Sequence, residues 1–193
     1  MAGKQAKVLS AAQIKTAINY LERTRNAERD VAMFLLSLRA GLRAKEIAGA
    51  TWMMVLNADG MVGDILALED RVAKMRSGRI VPLATDLQAA LRRLHELRSP
   101  APNERIIYSE RGTALSAATV AQRFFHIYAR LGFVGCSSHS GRRTFVTNAA
   151  RKISLVGGSL RDVQVLAGHA DLATTSAYID ADPEAARKVV NLI

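Results

Sequence analysis

His139-Ser140-Gly141-Arg142-Arg143 is the most informative segment of the chain, and Gly168-His169 and Tyr178 follow it in the last third. A tyrosine hydroxyl can act as a nucleophile toward phosphorus. Histidine and arginine side chains are suited to managing its proton and the charge that builds up on phosphate. These residue types together indicate a site that acts on a phosphate ester.

Each of these residues also has an ordinary structural explanation. His139 and Arg142 lie three residues apart at the start of a predicted helix that continues to Lys152, so they share one face, where an anion is favoured. Taken singly, His139 is typical of a capping histidine beside a surface arginine, His169 of a turn residue, and Tyr178 of a half-buried tyrosine. Only their combination points to catalysis.

The composition indicates a basic protein with a sizeable core. The chain has 193 residues, of which 49% are hydrophobic and 5% aromatic, and its net charge is +10. Such an excess of positive charge is typical of proteins that bind polyanions, although a solvated basic surface is the alternative. We therefore expect the phosphate to belong to nucleic acid.

Other classes of protein are disfavoured. Cys136 is the single cysteine, and the sequence contains no cluster with zinc-ligand spacing. It has no leader-like segment, no apolar run long enough to span a membrane, and no basic amphipathic segment opposed by aromatic residues. We expect a cytoplasmic protein that needs no metal or cofactor and has no membrane partner.

The first half of the chain predicts three helices and then a small sheet. Ser10 and Gln13 form a capping box, Gly41 ends a second helix over 28–40, and a short helix follows over 42–48. Turn signals then frame two short β-leaning runs at 65–68 and 79–83, which predict two or three antiparallel strands.

Helices resume in the second half, at 85–97, 116–131, 139–152, 159–166 and 171–179. Thr85 is predicted to cap the first of these, and Pro183 is predicted to open a last short helix. The residues of the first helix predicted to face inward are Leu87, Leu91, Leu94 and Leu97, or near neighbours. The fold class is therefore mainly α with a small antiparallel β-sheet (α+β). We predict a flexible N-terminus at 1–9, one domain over 10–182 and a C-terminal helix over 183–193.

Two further residues are candidates because of their surroundings. Arg43 lies among apolar residues at a helix start and needs an anionic partner if it is buried, a role that Glu46 three residues later could fill. A surface ion pair is the alternative. Lys74 precedes the turn at 76–78 and should project from the hairpin, where lysines usually face solvent.

Four motifs occur in a fixed order. They are Gly-Leu-Arg-x-x-Glu-Ile at Arg43, Lys74 five residues before Arg-Ile-Val-Pro-Leu, His-x-x-Arg-Arg-Thr-Phe from His139, and Leu-x-Gly-His-x8-Tyr ending at Tyr178. Together they resemble the catalytic domain of the tyrosine recombinases, the phage integrase family, from about Ser10 to Asp182. The resemblance implies the DNA breaking-rejoining enzyme fold of that domain.

The resemblance also implies a catalytic role for each matching residue. Tyr178 matches the nucleophile that leaves a 3′-phosphotyrosyl link, His139 the residue that takes its proton, and Lys74 the hairpin lysine that protonates the departing 5′-oxygen. The residues that match phosphate-binding positions are the two clamping arginines, Arg43 and Arg142, and the phosphate-bonding His169. Glu46 matches an acidic position that supports the first arginine.

The function implied is a site-specific DNA recombinase or integrase that is independent of metal and ATP and acts on double-stranded DNA. The resemblance implies a monomer in solution, a tetramer on DNA, and docking of 183–193 in cis or on a neighbour. The alternatives are a non-catalytic DNA-binding accessory protein of this fold, a type IB topoisomerase-like activity that relaxes DNA, and a basic helical scaffold.

The sequence departs from the family pattern in two ways. Gly141 stands where members usually carry a larger apolar residue, often leucine, and we expect this to loosen the packing beneath the helix of His139 and Arg142. Only residues 1–9 precede the first predicted helix, whereas most members carry an N-terminal domain that completes a clamp around DNA. We therefore expect weak, salt-sensitive DNA binding.

Overall fold

The computed structural model describes residues 5–73 and 78–178. Its elements in chain order are α1 (Ala11–Leu21), α2 (Ala27–Arg39), α3 (Ala44–Gly49), β1 (Ile65–Leu68), β2 (Arg79–Pro82), α4 (Thr85–Arg98), α5 (Ala117–Arg130), α6 (Ser140–Lys152), α7 (Leu160–Ala167) and α8 (Leu172–Ser176). A mainly helical chain with one small antiparallel sheet confirms the predicted fold class. No helix in the described ranges has the length and apolar character that a membrane span needs.

Several predictions concern residues outside these ranges. Lys74 and part of the turn at 76–78 fall between the two described ranges, and the helix predicted over 183–193 falls after them. The limits proposed for the flexible N-terminus, the catalytic domain and the C-terminal helix stay predictions.

Three helices begin at the polar capping residues that the sequence predicts. The Ser10 hydroxyl accepts a bond from the Gln13 backbone N–H at 3.2 Å, and the Gln13 amide oxygen accepts one from the Ser10 N–H at 3.0 Å. At the starts of α5 and α8, the Ser116 and Asp171 side chains accept hydrogen bonds from the backbone N–H groups of Thr119 and Thr174. These three predicted starts are confirmed.

Two predictions about α4 are wrong. Thr85 is its first residue and Ala84 stands at the cap without a side-chain bond, because Gln88 does not turn back toward the cap but donates to the Gly63 carbonyl at 2.7 Å. Leu87, Leu91 and Leu94 are buried as predicted, but Leu97 is 66% exposed. The 3.6-residue period continues the inward face of α4 at Arg98, which stacks on Tyr108.

The core is organised around α2, whose residues from Arg29 to Leu38 are all buried. This helix packs on α4 and α6, while α3 packs on α5. A second, smaller apolar cluster joins α6 to α7 through Val146, Val163 and Ala167. The first half of the chain is thereby held against the segment that carries the most informative motif.

The sheet places alternate side chains on opposite faces. Ile65 pairs with Pro82 and Leu68 with Arg79. Arg79 and Val81 are buried, whereas Ile80 between them is exposed. The two-residue period of a strand therefore directs Arg79 toward the interior.

Gly141 tightens the packing of α6 on α2, so the expectation of a loose contact is wrong. A Cβ atom at this position would lie 2.4 Å from the Ser37 hydroxyl oxygen and 2.9 Å from the Ser37 Cβ. Real Cβ atoms do not approach other atoms so closely, and only glycine allows the two helices this separation. The close approach brings the next residue, Arg142, to the end of α2.

Candidate active site

Arg43 and Glu46 form the predicted ion pair at the start of α3. The Arg43 backbone N–H donates to Glu46 Oε2, and Arg43 Nη1 donates to Oε1, each at 2.9 Å. Glu46 is fully buried, while 23% of the Arg43 side chain stays exposed. The carboxylate therefore orients an arginine that remains accessible to an anion in solution.

Arg79 is a second partner of Glu46 that the sequence did not reveal. Its Nη2 lies 3.1 Å from Glu46 Oε2 and its Nη1 lies 3.3 Å from Oε1, so the pairing is bidentate. Its Nε donates to the Leu166 carbonyl near the end of α7 at 3.0 Å. The signal that could have identified Arg79 is its period-two alternation with Val81.

The carboxyl group of Glu46 is held in its charged form. Burial raises the pKa of Glu46, but the hydrogen bonds and positive charges of Arg79 and Arg43 outweigh this effect, so its pKa lies below the ordinary value. A buried carboxylate between two guanidinium groups is satisfied both electrostatically and by hydrogen bonds.

Arg142 reaches the same region from α6. Its Nη1 donates to the Gly41 carbonyl at 2.6 Å and its Nη2 to the Ala167 carbonyl at 2.7 Å. Burial, followed by repulsion from Arg43, lowers the pKa of Arg142 to about 10, which leaves it charged at neutral pH. Two backbone carbonyls fix the guanidinium plane, and its other N–H groups are suited to binding an anion.

His169 lies in the turn between α7 and α8. The turn is fixed on both sides of the histidine, since its N–H donates to the Gln164 carbonyl and its own carbonyl accepts from Gln164 Nε2. Burial, then the positive charges of Arg142, Arg43 and Arg79, lowers the pKa of His169 to about 4. The imidazole is therefore neutral at physiological pH.

Tyr178 is half-buried and stacks on His169. The ring centroids lie 5.4 Å apart with an interplanar angle of 24°, and the Arg143 guanidinium lies 5.7 Å from the tyrosine ring. The other tyrosines belong to the main core, as predicted. Among them, Tyr128 is almost fully buried, and burial raises the pKa of its hydroxyl.

His139, Arg142 and Tyr178 line one open cavity of about 400 Å³, and its other lining residues are Gln5, Ala6, Arg143, Thr174 and Ala177. His139 is exposed and its side chain forms no capping bond to α6, so the capping explanation does not hold. Of the residues predicted to be catalytic, those within the described ranges lie in one region. His139, Arg142 and Tyr178 share this cavity, His169 stacks on Tyr178, and the charge of Arg43 lowers the pKa of both Arg142 and His169. Lys74 lies outside these ranges.

The sequence has known relatives along almost its whole length. Residues 7–185 match the Phage integrase family. The tyrosine recombinase XerC of Methylobacterium nodulans is 32% identical over 157 residues, which are 80% of this chain and 46% of that protein. The XerC of Xylella fastidiosa is 27% identical over 187 residues, or 96% of this chain and 60% of that protein. The chain thus spans about half the length of these relatives.

Solved structures share the fold. The Tn1549 transposon integrase in complex with a circular intermediate DNA has a TM-score of 0.78 at 16% identity, and the match covers all of this chain and 67% of that one. The XerA recombinase has a TM-score of 0.73 at 22% identity, covering 96% and 64% of the two chains. At such identities the likeness establishes the architecture.

Proposed function

The chain belongs to the phage integrase family, and from this premise we propose that it is a site-specific DNA recombinase or integrase that cleaves and rejoins DNA strands through a 3′-phosphotyrosyl intermediate. The observation that carries the proposal is the cavity shared by His139, Arg142 and Tyr178, with His169 stacked on the tyrosine. The shared lining supports our assignment of Tyr178 as the nucleophile, His139 as its proton acceptor and Arg142 as a fixed cation.

The proposed reaction is a transesterification at phosphorus. The Tyr178 hydroxyl attacks the scissile phosphate and gives up its proton to His139, while the bond from phosphorus to the 5′-oxygen breaks. Lys74 supplies the proton that the 5′-oxygen takes up. The phosphotyrosine conserves the ester bond, so a 5′-hydroxyl from a partner strand can reverse the step without ATP.

Two arginines neutralise the negative charge that builds up on the phosphate in the transition state. Arg43 and Arg142 bind the non-bridging oxygens, and their orientation is set in advance by Glu46 and by the carbonyls of Gly41 and Ala167. Donors fixed before the reaction avoid reorganisation in the transition state, and each is worth about 3 kcal/mol in other enzymes. We propose that these side chains supply the needed charge without a metal ion.

Double-stranded DNA is the proposed substrate. The net charge of +10 favours it, and family neighbours of this fold include a lambda integrase dimer bound to a core site. We further propose a monomer in solution that assembles as a tetramer on DNA in the cytoplasm, with residues 183–193 docking in cis or on a neighbour.

The test is the capture of a covalent protein–DNA adduct. The protein is incubated with a library of nicked duplexes of random sequence, and adducts that survive SDS are recovered and sequenced, which also identifies the preferred site. The wild-type protein should form the adduct in the presence of EDTA, and Tyr178→Phe should not.

A matched control removes a different tyrosine hydroxyl. Tyr128→Phe should retain the adduct, because the Tyr128 hydroxyl is buried without a hydrogen-bond partner in the described part of the chain. Binding of duplex by the wild-type protein without any adduct would instead favour the non-catalytic accessory protein. An adduct that persists in Tyr178→Phe would refute the assignment of the nucleophile.

A further inference from the structure

Thr175 contacts both aromatic residues of the proposed site. Its hydroxyl oxygen lies 2.9 Å from Nδ1 of His169, and its carbonyl accepts a hydrogen bond from the Tyr178 N–H at 3.1 Å. The threonine is fully buried and the histidine is 8% exposed. A single residue of α8 therefore links the histidine ring to the backbone of the tyrosine.

The charged groups around His169 keep its ring neutral. Burial is the largest cause, and Arg142 from α6, Arg43 from α3 and Arg79 from β2 add positive charge, whereas Asp171 at the start of α8 opposes them. A neutral imidazole carries one N–H and one acceptor nitrogen. The position of that single proton decides which nitrogen can donate to a ligand.

The hydrogen bonds of Thr175 determine where the proton lies. Among the described residues, His169 Nδ1 is the one partner of the Thr175 hydroxyl. If Nδ1 carried the proton and donated it, the hydroxyl hydrogen would be buried without an acceptor, which is costly. If instead the hydroxyl donates to Nδ1, the hydroxyl hydrogen has an acceptor within the protein. The ring proton then lies on Nε2, where it can be donated to a ligand.

We propose that Thr175 is a positioning residue whose hydroxyl donates to Nδ1 of His169 and so keeps the ring proton on Nε2. The Nε2–H group is then the donor that the ring offers to a non-bridging oxygen of the DNA phosphate. This inference rests on the proposed function for its substrate, but the hydrogen-bond assignment concerns the unliganded protein alone.

The first test measures the tautomer directly. Long-range proton–nitrogen NMR spectra of the full chain, which has four histidines, are assigned with His169→Gln. The wild-type protein should show His169 protonated at Nε2, Thr175→Ser should retain this pattern, and the nearly isosteric Thr175→Val should lose it. Protonation at Nδ1 in the wild-type protein would overturn the proposal.

The second test measures adduct formation on the nicked duplexes. Thr175→Val should slow it about tenfold, the usual effect of one lost hydrogen bond, and Thr175→Ser should remain close to the wild-type rate. In a His169→Ala background, Thr175→Val should have no further effect, since the threonine acts through the histidine.

The outcomes separate this inference from the proposed function. An equal loss in both backgrounds, or an unchanged rate in Thr175→Val, would refute the positioning role even though the enzyme cleaves DNA. No adduct from the wild-type protein would refute the proposed function and with it the catalytic part of this inference, and the NMR spectra would still decide the tautomer. Circular dichroism and thermal melting verify that each variant is folded.

Discussion

Glu46 holds two arginines in place, because its buried carboxylate binds both guanidinium groups. Arg43 approaches it from the position just before α3, and Arg79 approaches it from β2. A buried ion pair adds little net stability, but removing one partner leaves the other charge uncompensated. Loss of Arg79 should therefore destabilise the protein more than loss of Arg43, because Arg79 is buried with Glu46 whereas Arg43 is partly solvated.

Because the Arg79–Glu46 pair is buried, Arg79→Met should lower the free energy of unfolding by about 3 kcal/mol. This is measured by urea denaturation at neutral pH. Arg71→Met is the matched control, because Arg71 forms an exposed pair with Glu69 and its loss should leave the free energy unchanged within error. Similar losses of stability in the two variants would show that the buried charge of Glu46 is compensated without Arg79.

At the scale of elements, the site is built by the contact of α6 with α2. The helices approach closely only because Gly141 faces Ser37, and Arg142 then reaches the Gly41 carbonyl just past the end of α2. The Ser37 hydroxyl is buried without a hydrogen-bond partner in the described structure. At Ser37, packing rather than hydrogen bonding therefore limits how closely the two helices approach.

Gly141→Ala should consequently destabilise the protein by about 1–2 kcal/mol, despite the better helix propensity of alanine, because overpacking outweighs that gain. Ser37→Ala alone should be neutral or slightly stabilising, and in the double variant it should recover part of the loss. These free energies are measured by urea denaturation. A stabilised Gly141→Ala protein would contradict the close approach of the helices.

At the scale of the whole molecule, segments distant in the chain concentrate positive charge around a neutral histidine. The pKa of His169 is about 4 in the folded protein, against about 6.5 in an unfolded chain. Between these values the unfolded state binds more protons, so stability falls as the pH drops from 6.5 toward 4.

His169→Gln should remove this part of the pH dependence. The difference in unfolding free energy between wild-type and variant proteins should decrease by up to about 3 kcal/mol from pH 7 to pH 4, measured by urea denaturation at several pH values. The exposed His126 gives the control His126→Gln, which should keep the wild-type dependence. A difference that stays constant with pH would mean that His169 is solvated.

Local signals in the sequence were sufficient for most elements. The capping box at Ser10, the helix stop at Gly41 and the two β-leaning runs were interpreted correctly, because each depends on contacts within a few residues. Thr85 was misjudged because a distant contact decided the outcome, since Gln88 bonds to the segment before β1. Leu97 was misjudged because the inward face of α4 continues at Arg98 and not one residue earlier.

The order and spacing of residues along the chain were enough to indicate the family, the fold class and the residues that should meet. Side-chain chemistry and the period of a helix or strand depend only on residues that are close in the sequence. The folded chain alone decided that Arg79 shares Glu46 with Arg43, that Gly141 tightens a helix contact, and that Thr175 bonds to His169. The physical reason is that burial and hydrogen-bond partners depend on which distant segments pack together, and no local pattern specifies that.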